Sequence, residues 1–371
     1  LQYPFFIENM KNINNRDPFI HLRLHSSYSL LRGALRPEEL PKICEKNSMP
    51  AVGITDSGNL FGALEISELL VNNGIQPIIG CEFNLNLNSH GDQNTNLYSD
   101  IVLFAQNENG YKNLLKLSTE FFLNQKSPKL SIDLSQLEKY SNDLIMLCGG
   151  SSGVLGVNLI SKRMNEAKKR AIDLKKIFGD RFYIEIQRHG NEETIRTSEE
   201  AATEDLLLEL ADDHSIPIVA TNNVHFKDKK SFEAQDVLLC IAQNTYLDQE
   251  AERERLTQEH YFKSSKEMRI LFHDLPEALN NTIEIAQRCI HRPKIKNPIL
   301  PVYDDDQNKE KELMQKLAKD GLDDRLNNKF STECIDIEQQ NEIRKVYEER
   351  LHKELKIIIN MKYEGYFLIV S

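Results

Sequence analysis

The chain has 371 residues, of which 40% are hydrophobic and 28% charged. That is an ordinary globular composition, with length for one large domain and part of another. A net charge of −11 with a pI near 5.5 excludes a surface that grips nucleic acid all over, and leaves room for a local basic patch.

Residues 1–17 are polar and Asn-rich and read as a loose lead-in. Phe19–Leu24 reads as a strand, Pro37–Asn47 as a helix with proline near its start, Ala51–Ile54 as a strand and Leu60–Asn72 as a helix. Gln76–Ile79 and Glu82–Leu87 read as two further strands, followed by strand Ile101–Ala105 and helix Tyr111–Phe122. Strand Leu144–Cys148, helix Asn165–Phe178 stopped by Gly179, and strand Phe182–Ile186 come next. Helix Ser198–His214, strand Ile216–Ala220 and helix Phe232–Ala242 complete the alternation, and residues 88–98 and 123–130 read as surface loops. Seven or more strands in about 225 residues, with helices between them, predict a largely parallel sheet closed into a barrel. No GxGxxG follows the first strand, which counts against a dinucleotide fold.

After Lys266 the pattern changes. Pro276–Cys289 reads as a helix, 291–310 as a Pro-rich then acidic linker, and Ile343–Met361 as a charged helix. Its Ile343, Val346, Tyr347, Leu351, Leu355 and Ile358 predict one buried stripe, with Glu349 and Lys353 as an i,i+4 pair. No apolar run approaches the ~18 residues of a membrane span, and Lys11 and Arg16 precede no apolar signal segment. The six cysteines form no CxxC pair, which argues for reduced thiols in a cytoplasm. The start at Leu1 and the stop in the apolar run Ile369-Val370-Ser371 read as cuts in a longer protein.

Four segments look like metal-binding corners with part of the ligand set missing: Arg23-Leu24-His25, Thr55-Asp56-Ser57-Gly58-Asn59, Gly80-Cys81-Glu82 and Thr221-Asn222-Asn223-Val224-His225. An HxH on a strand would aim two imidazoles the same way, but the first position is Arg23, which cannot ligate and repels a cation. A lone strand histidine such as His25 is more often a satisfied polar residue than a ligand. Asp56 before Ser-Gly is a ligand or a turn cap, and Glu82 is a bridging carboxylate or an exposed charge. Asn223 keeps the spacing to His225 without the anion an Asp would bring. His189 reads most simply as a loop residue, and no GxSxG, Walker loop or HExxH is present.

From Phe19 to Ser371 the chain resembles the N-terminal part of bacterial replicative DNA polymerase III alpha subunits, the C-family polymerases. The strings that carry this include His21-Leu22-Arg23-Leu24-His25-Ser26-Ser27-Tyr28-Ser29-Leu30, Gly74-Ile75-Gln76-Pro77-Ile78-Ile79-Gly80-Cys81-Glu82 and Gly365-Tyr366-Phe367-Leu368. The resemblance implies a PHP-type distorted (β/α)7 barrel over 18–290, a linker over 291–310, and a mostly helical segment over 311–371 leading into the polymerase palm. In metal-binding members, His and carboxylate ligands hold a metal cluster (Zn, Mn or Fe) that runs 3′–5′ exonuclease or phosphoesterase chemistry. By the same resemblance His25, Asp56, Glu82, Asp100 and His225 are vestigial ligand candidates, and Arg23, Ser57, Gly150 and Asn223 are lost ligand positions.

The implied function is a part of a DNA-synthesising polymerase whose silent barrel docks a separate proofreading exonuclease subunit. The Mg2+-binding polymerase carboxylates, and the contacts to template-primer, sliding clamp and clamp loader, are expected beyond Ser371. The alternatives are a metal-dependent exonuclease with a reduced cluster, and a stand-alone sugar- or amino-acid-phosphate phosphatase on the same barrel.

Overall fold

The computed structural model describes residues 19–87, 97–123, 129–191, 193–249, 253–296, 303–304, 306–333 and 335–371. The polar lead-in at 1–17 and most of the two expected surface loops lie outside the described residues. The chain divides into two compact units, one ending at Lys294 and one beginning at Ile295.

The first unit is built on six strands hydrogen-bonded in chain order: β1 Ala51–Ile54, β2 Gln76–Asn86, β3 Tyr98–Ala105, β4 Leu144–Leu147, β5 Phe182–Gln187 and β6 Ile218–Thr221. Runs such as Leu-Ile-Met-Leu in β4 are buried on both faces, which is why they are apolar throughout rather than alternating. The two strands expected over Gln76–Leu87 are one continuous β2. The sheet is also less parallel than expected. β1–β2, β4–β5 and β5–β6 are parallel, whereas β3 is antiparallel to both neighbours. β2 and β3 pair antiparallel from Gly80 against Phe104 to Asn86 against Tyr98.

Residues 19–25 close the ring. Gly53 N–H donates to His21 O at 2.7 Å and Thr55 N–H to Leu24 O at 2.9 Å on one side. On the other side His25 N–H donates to Val224 O at 2.8 Å, and Val224 N–H to Arg23 O at 3.2 Å. The β1 donors are two residues apart and their acceptors three, so one extra residue is inserted as a bulge. The expected strand is therefore present only as isolated bridges. The bulge lets Leu22 join the inner core while the next side chain, Arg23, turns into the barrel mouth.

The helices lie outside the ring: α1 Leu40–Lys46, α2 Ala63–Asn72, α3 Glu108–Leu123, α4 Leu134–Lys139, α5 Val154–Ile160, α6 Met164–Phe178, α7 Ser198–Asp213, α8 Phe232–Gln243, α9 Ser265–Leu271 and α10 Pro276–Arg288. One buried cluster fills the space between strands and helices. A second, inner cluster takes Leu22, Ala51, Ile78, Phe104, Leu147, Tyr183 and Val219 from around the ring. α10 plugs this inner cluster with Ile285, Ala286 and Cys289, and the Gln76 amide caps its last turn by donating to Ala286 O and Cys289 O at 2.8 and 2.9 Å. Each fully buried aliphatic or aromatic side chain there contributes about 1.5–3 kcal/mol.

The second unit is helical: α11 Gln307–Glu333, α12 Ile337–Met361 and α13 Glu364–Val370. Asp336 caps α12 by accepting from Gln339 N–H, which satisfies one of the first-turn donors. The stripe expected to be buried on α12 is not. No residue of that helix is buried, and Val346 and Tyr347 are 65% and 43% exposed. An ion pair joining α12 to α11 runs through Arg344 and Asp323, to one side of the stripe. The i,i+4 pair found on α12 is Arg350 with Glu354 at 2.9 Å, not the expected Glu349 with Lys353.

Candidate functional site

The mouth of the barrel, where most strands end, is a buried charge network centred on Arg23. Its side chain is 1% exposed. Nη2 pairs closely with Glu82 Oε2 from β2 and lies 3.9 Å from Asp100 Oδ2 at the start of β3, while Nη1 is 3.2 Å from Glu185 Oε2 of β5. Burial opposes the Arg23 charge, but Glu82, Glu185 and Asp100 together hold it protonated beyond its ordinary range. Burial likewise works against ionised Glu82, yet Arg23 and His25 hold its carboxyl well below the usual range. Asp100, at the rim, is pushed up to about 6 by burial and by the neighbouring Glu82.

Four imidazoles line the same end. His25 stacks on His225 with ring centroids 4.3 Å apart, and His189 stacks on His260 at 4.0 Å. His25 Nε2 faces Glu82 Oε2 at 3.4 Å, and its Nδ1 lies 3.1 Å from Ser29 Oγ. His225 Nδ1 is 3.0 Å from the Arg32 carbonyl, which can only accept, so that nitrogen carries the proton. Burial lowers the pKa of His189, His225 and His260 well below the ordinary imidazole value, and neighbouring cations or imidazoles add to the effect. His189 is thus no mere loop residue. Its Nδ1 bonds Glu200 at 2.7 Å, and its Nε2 accepts from Asn223 N–H at 3.1 Å, which consumes its free lone pair.

The other positions singled out in the sequence are also accounted for. Asp56 accepts from Ser26 N–H at 2.7 Å, Ser26 Oγ at 2.8 Å and Ser29 Oγ at 2.6 Å, so it ties the 26–29 turn to the end of β1. Ser57 Oγ donates to Glu82 Oε1 at 3.2 Å. Gly150 has φ +58°, and a Cβ there would lie 2.7 Å from Gln187 Oε1, so Gln187 fills the space beside it. Gln187 in turn donates to Glu185 Oε1 at 3.0 Å and Thr221 Oγ1 at 3.1 Å. Asn223 leaves its buried Oδ1 without a partner.

The residues present do not fit a metal cluster. The Arg23 guanidinium already pairs with Glu82 and Glu185 and lies near Asp100, Asp56 is committed to three donors, and the His189 lone pair is used. A divalent ion about 4 Å from Arg23 would meet a repulsion of about 8 kcal/mol at an effective dielectric of about 20. Among the described residues, no group of three or more His, Cys, Asp or Glu is placed to hold a metal ion.

The sequence reading brought His25, Glu82, Asp100 and His225 to this mouth but missed Glu185, Gln187, His260 and Lys263. The signal for Glu185 was a charge in the middle of the otherwise apolar run Phe-Tyr-Ile-Glu-Ile, since a carboxylate buried there needs a cationic partner. Lys263, whose pKa burial lowers to about 8, is buried against Asn222 Oδ1 at 3.1 Å and Glu259 Oε2 at 3.2 Å.

Residues 21–189 match the PHP domain family, and residues 312–371 match the bacterial DNA polymerase III alpha NTPase domain. Along nearly its whole length the chain is similar to DNA polymerase III alpha subunits. It is 41% identical to that of Rickettsia bellii over 95% of this chain, and 39% identical to that of Caulobacter vibrioides over 95%. The subunit of Borreliella burgdorferi is 35% identical over 96% of this chain. The chain spans about 29–30% of the length of these relatives.

Proposed function

We propose, on the premise of that kinship, that this chain is a scaffold portion of a replicative DNA polymerase III alpha subunit. Its PHP barrel holds no catalytic metal cluster and docks a separate proofreading exonuclease subunit. Residues 311–371 lead toward the palm, and DNA synthesis, with its Mg2+ and its contacts to template-primer, clamp and clamp loader, belongs to the whole protein in a cytoplasmic replisome.

The observation that carries the reading is the Arg23 guanidinium ion-paired with Glu82 and Glu185 inside the mouth. An internal cation there supplies the charge that metal ions would otherwise supply, and it does so without an open coordination position for a nucleophilic water. A barrel that cannot hydrolyse a mispaired end needs a partner that can.

Two measurements test this. Metal per chain, by plasma mass spectrometry on protein purified without chelator, should be close to zero. One or more Zn, Mn or Fe per chain, together with EDTA-sensitive release of nucleotides, would sink the scaffold reading in favour of an exonuclease with a reduced cluster. The exonuclease subunit mixed in equal amounts with this chain should co-elute on gel filtration, and two separate peaks would remove the docking role.

A further inference from the structure

Seven non-glycine residues among those described have a positive φ, and six of them are polar: Ser48, Asp143, Lys162, Ser215, Asn244 and Lys362. The seventh is Leu31, with φ +60°. The left-handed region crowds an L side chain, and glycine or asparagine tolerates it far better than leucine. Leu31 does not offset that strain by deep burial, since it is 46% exposed and its neighbour Leu30 is 67% exposed. Leucines exposed singly need no account. A leucine that is both strained and half in solvent does.

The turn that carries it is fixed at both ends. Before the tip, Ser29 Oγ donates to Asp56 Oδ1 at 2.6 Å, and Ser29 O accepts from Arg32 N–H at 2.8 Å and Gly33 N–H at 3.0 Å. After it, Arg32 O accepts from His225 Nδ1 at 3.0 Å and from the Gln235 amide. Tyr28 ties the turn to the start of α2. Its hydroxyl donates to Glu65, its carbonyl accepts from Asn59 Nδ2 at 3.0 Å, and its ring covers Gly62, where a Cβ would lie 2.5 Å from Tyr28 Cδ2. Phe61 and Leu64, within two residues of Gly62, are exposed as well. The rim of the mouth thus displays leucine and phenylalanine side chains on a backbone that is held in place.

Exposed apolar side chains gathered in one place mark a protein contact, and a fixed backbone lowers what binding must spend on ordering them. The charges beside Tyr28 are acidic: Glu65 accepts from its hydroxyl, and the Glu38 carboxylate also acts on it. Arg32 is already paired with Glu254 at 3.6 Å. A second copy of this chain, at −11, is a poor occupant, because a two-fold contact would set the carboxylates of both copies in one interface. We infer that Leu30, Leu31, Phe61 and Leu64 receive the proofreading exonuclease subunit, through a segment that presents apolar side chains next to a lysine or arginine. The identity of the partner rests on the scaffold reading above; the apolar rim and its acidic flank do not.

The test is fluorescence anisotropy of the labelled exonuclease subunit titrated with the 371-residue chain. Leu31→Asn should weaken binding about tenfold or more while its melting temperature stays no lower than the parent's, because asparagine fits the left-handed turn. A merely structural leucine would lose stability and leave binding alone. Phe61→Ser should weaken binding to a similar degree. Glu38→Lys should weaken it less, with an effect that shrinks as salt screens the pair. Ile172→Ser on α6 removes an exposed apolar side chain elsewhere and should change nothing. Unchanged binding by Leu31→Asn and Phe61→Ser, or an equal loss with Ile172→Ser, overturns the inference while the docking role stands. No binding by the parent chain removes the docking role and this surface together. In the whole polymerase chain, a Leu30→Cys thiol should react with maleimide until the exonuclease subunit is added. Protection without that subunit assigns the rim to the rest of the polymerase chain and overturns the inference too.

Discussion

The two ends of the barrel are held by opposite means. At the base, Leu22, Phe104, Leu147 and Val219 pack against α10 in an inner cluster of apolar side chains. At the mouth the interior is filled by Arg23, Glu82, Glu185 and four imidazoles. Apolar packing degrades gradually when an atom is lost, because neighbours relax around it. A buried charge network has no such tolerance, because a missing partner leaves an uncompensated ion. The mouth is therefore the more brittle half, although it does no chemistry in the reading proposed here.

That contrast can be broken at its strongest point first. Arg23→Met should cost about 3–5 kcal/mol in urea unfolding, since Glu82 and Glu185 lose their counter-cation. Adding Glu82→Gln and Glu185→Gln should recover most of the loss, and a triple variant no better than the single one would mean that packing, not charge, holds the mouth. At the base, Leu147→Ala should cost about 3 kcal/mol, with no recovery from any polar second change. Ser26→Ala, which removes the 2.8 Å bond to Asp56 Oδ2, should cost about 2 kcal/mol and loosen the 26–29 turn, read as faster amide exchange there.

The substitution with the smallest effect is read in pH. His189, His225 and His260 are held neutral in the fold and take up protons when unfolded, so stability falls as pH drops from 7 toward 5. Asp100, raised to about 6, gains its proton earlier in the folded state and works in the opposite direction over the same window. Asp100→Asn should make the acid loss steeper, and a shallower curve would place the Asp100 titration elsewhere. Both curves are read from urea midpoints at fixed ionic strength.

The fold was largely legible because its strands are short apolar runs between helices with clear stops, as at Ala51–Ile54 and at Phe178-Gly179. The reversed direction of β3 was not legible, since strand polarity depends on what connects β2 to β3 and not on either strand's composition. Nor was the bulge at Leu22-Arg23, because it exists only in the pairing with β1. At the site, Arg23, His25 and Glu82 stood out by residue type and spacing, and Asp100 only by resemblance. Glu185 and His189 were missed because their partners, Arg23 and Glu200, are distant or unremarkable in sequence. The α12 stripe shows the converse error, in which a clear helical period did not by itself supply a covering surface.

The ring is closed by Leu24 meeting Val224, a pairing between residues 200 positions apart. Contacts of such separation are slow to form, because a long stretch of chain must be ordered before they return any energy. On a ribosome the segment carrying Arg23 and His25 emerges first and has to wait for the strand that carries His225. Until then the 19–25 segment and the last strand made present open edges, the state in which sheets pair with the wrong chain. Synthesis of this protein thus has a vulnerable interval fixed by its topology, and truncation before residue 224 should yield aggregate rather than a smaller barrel.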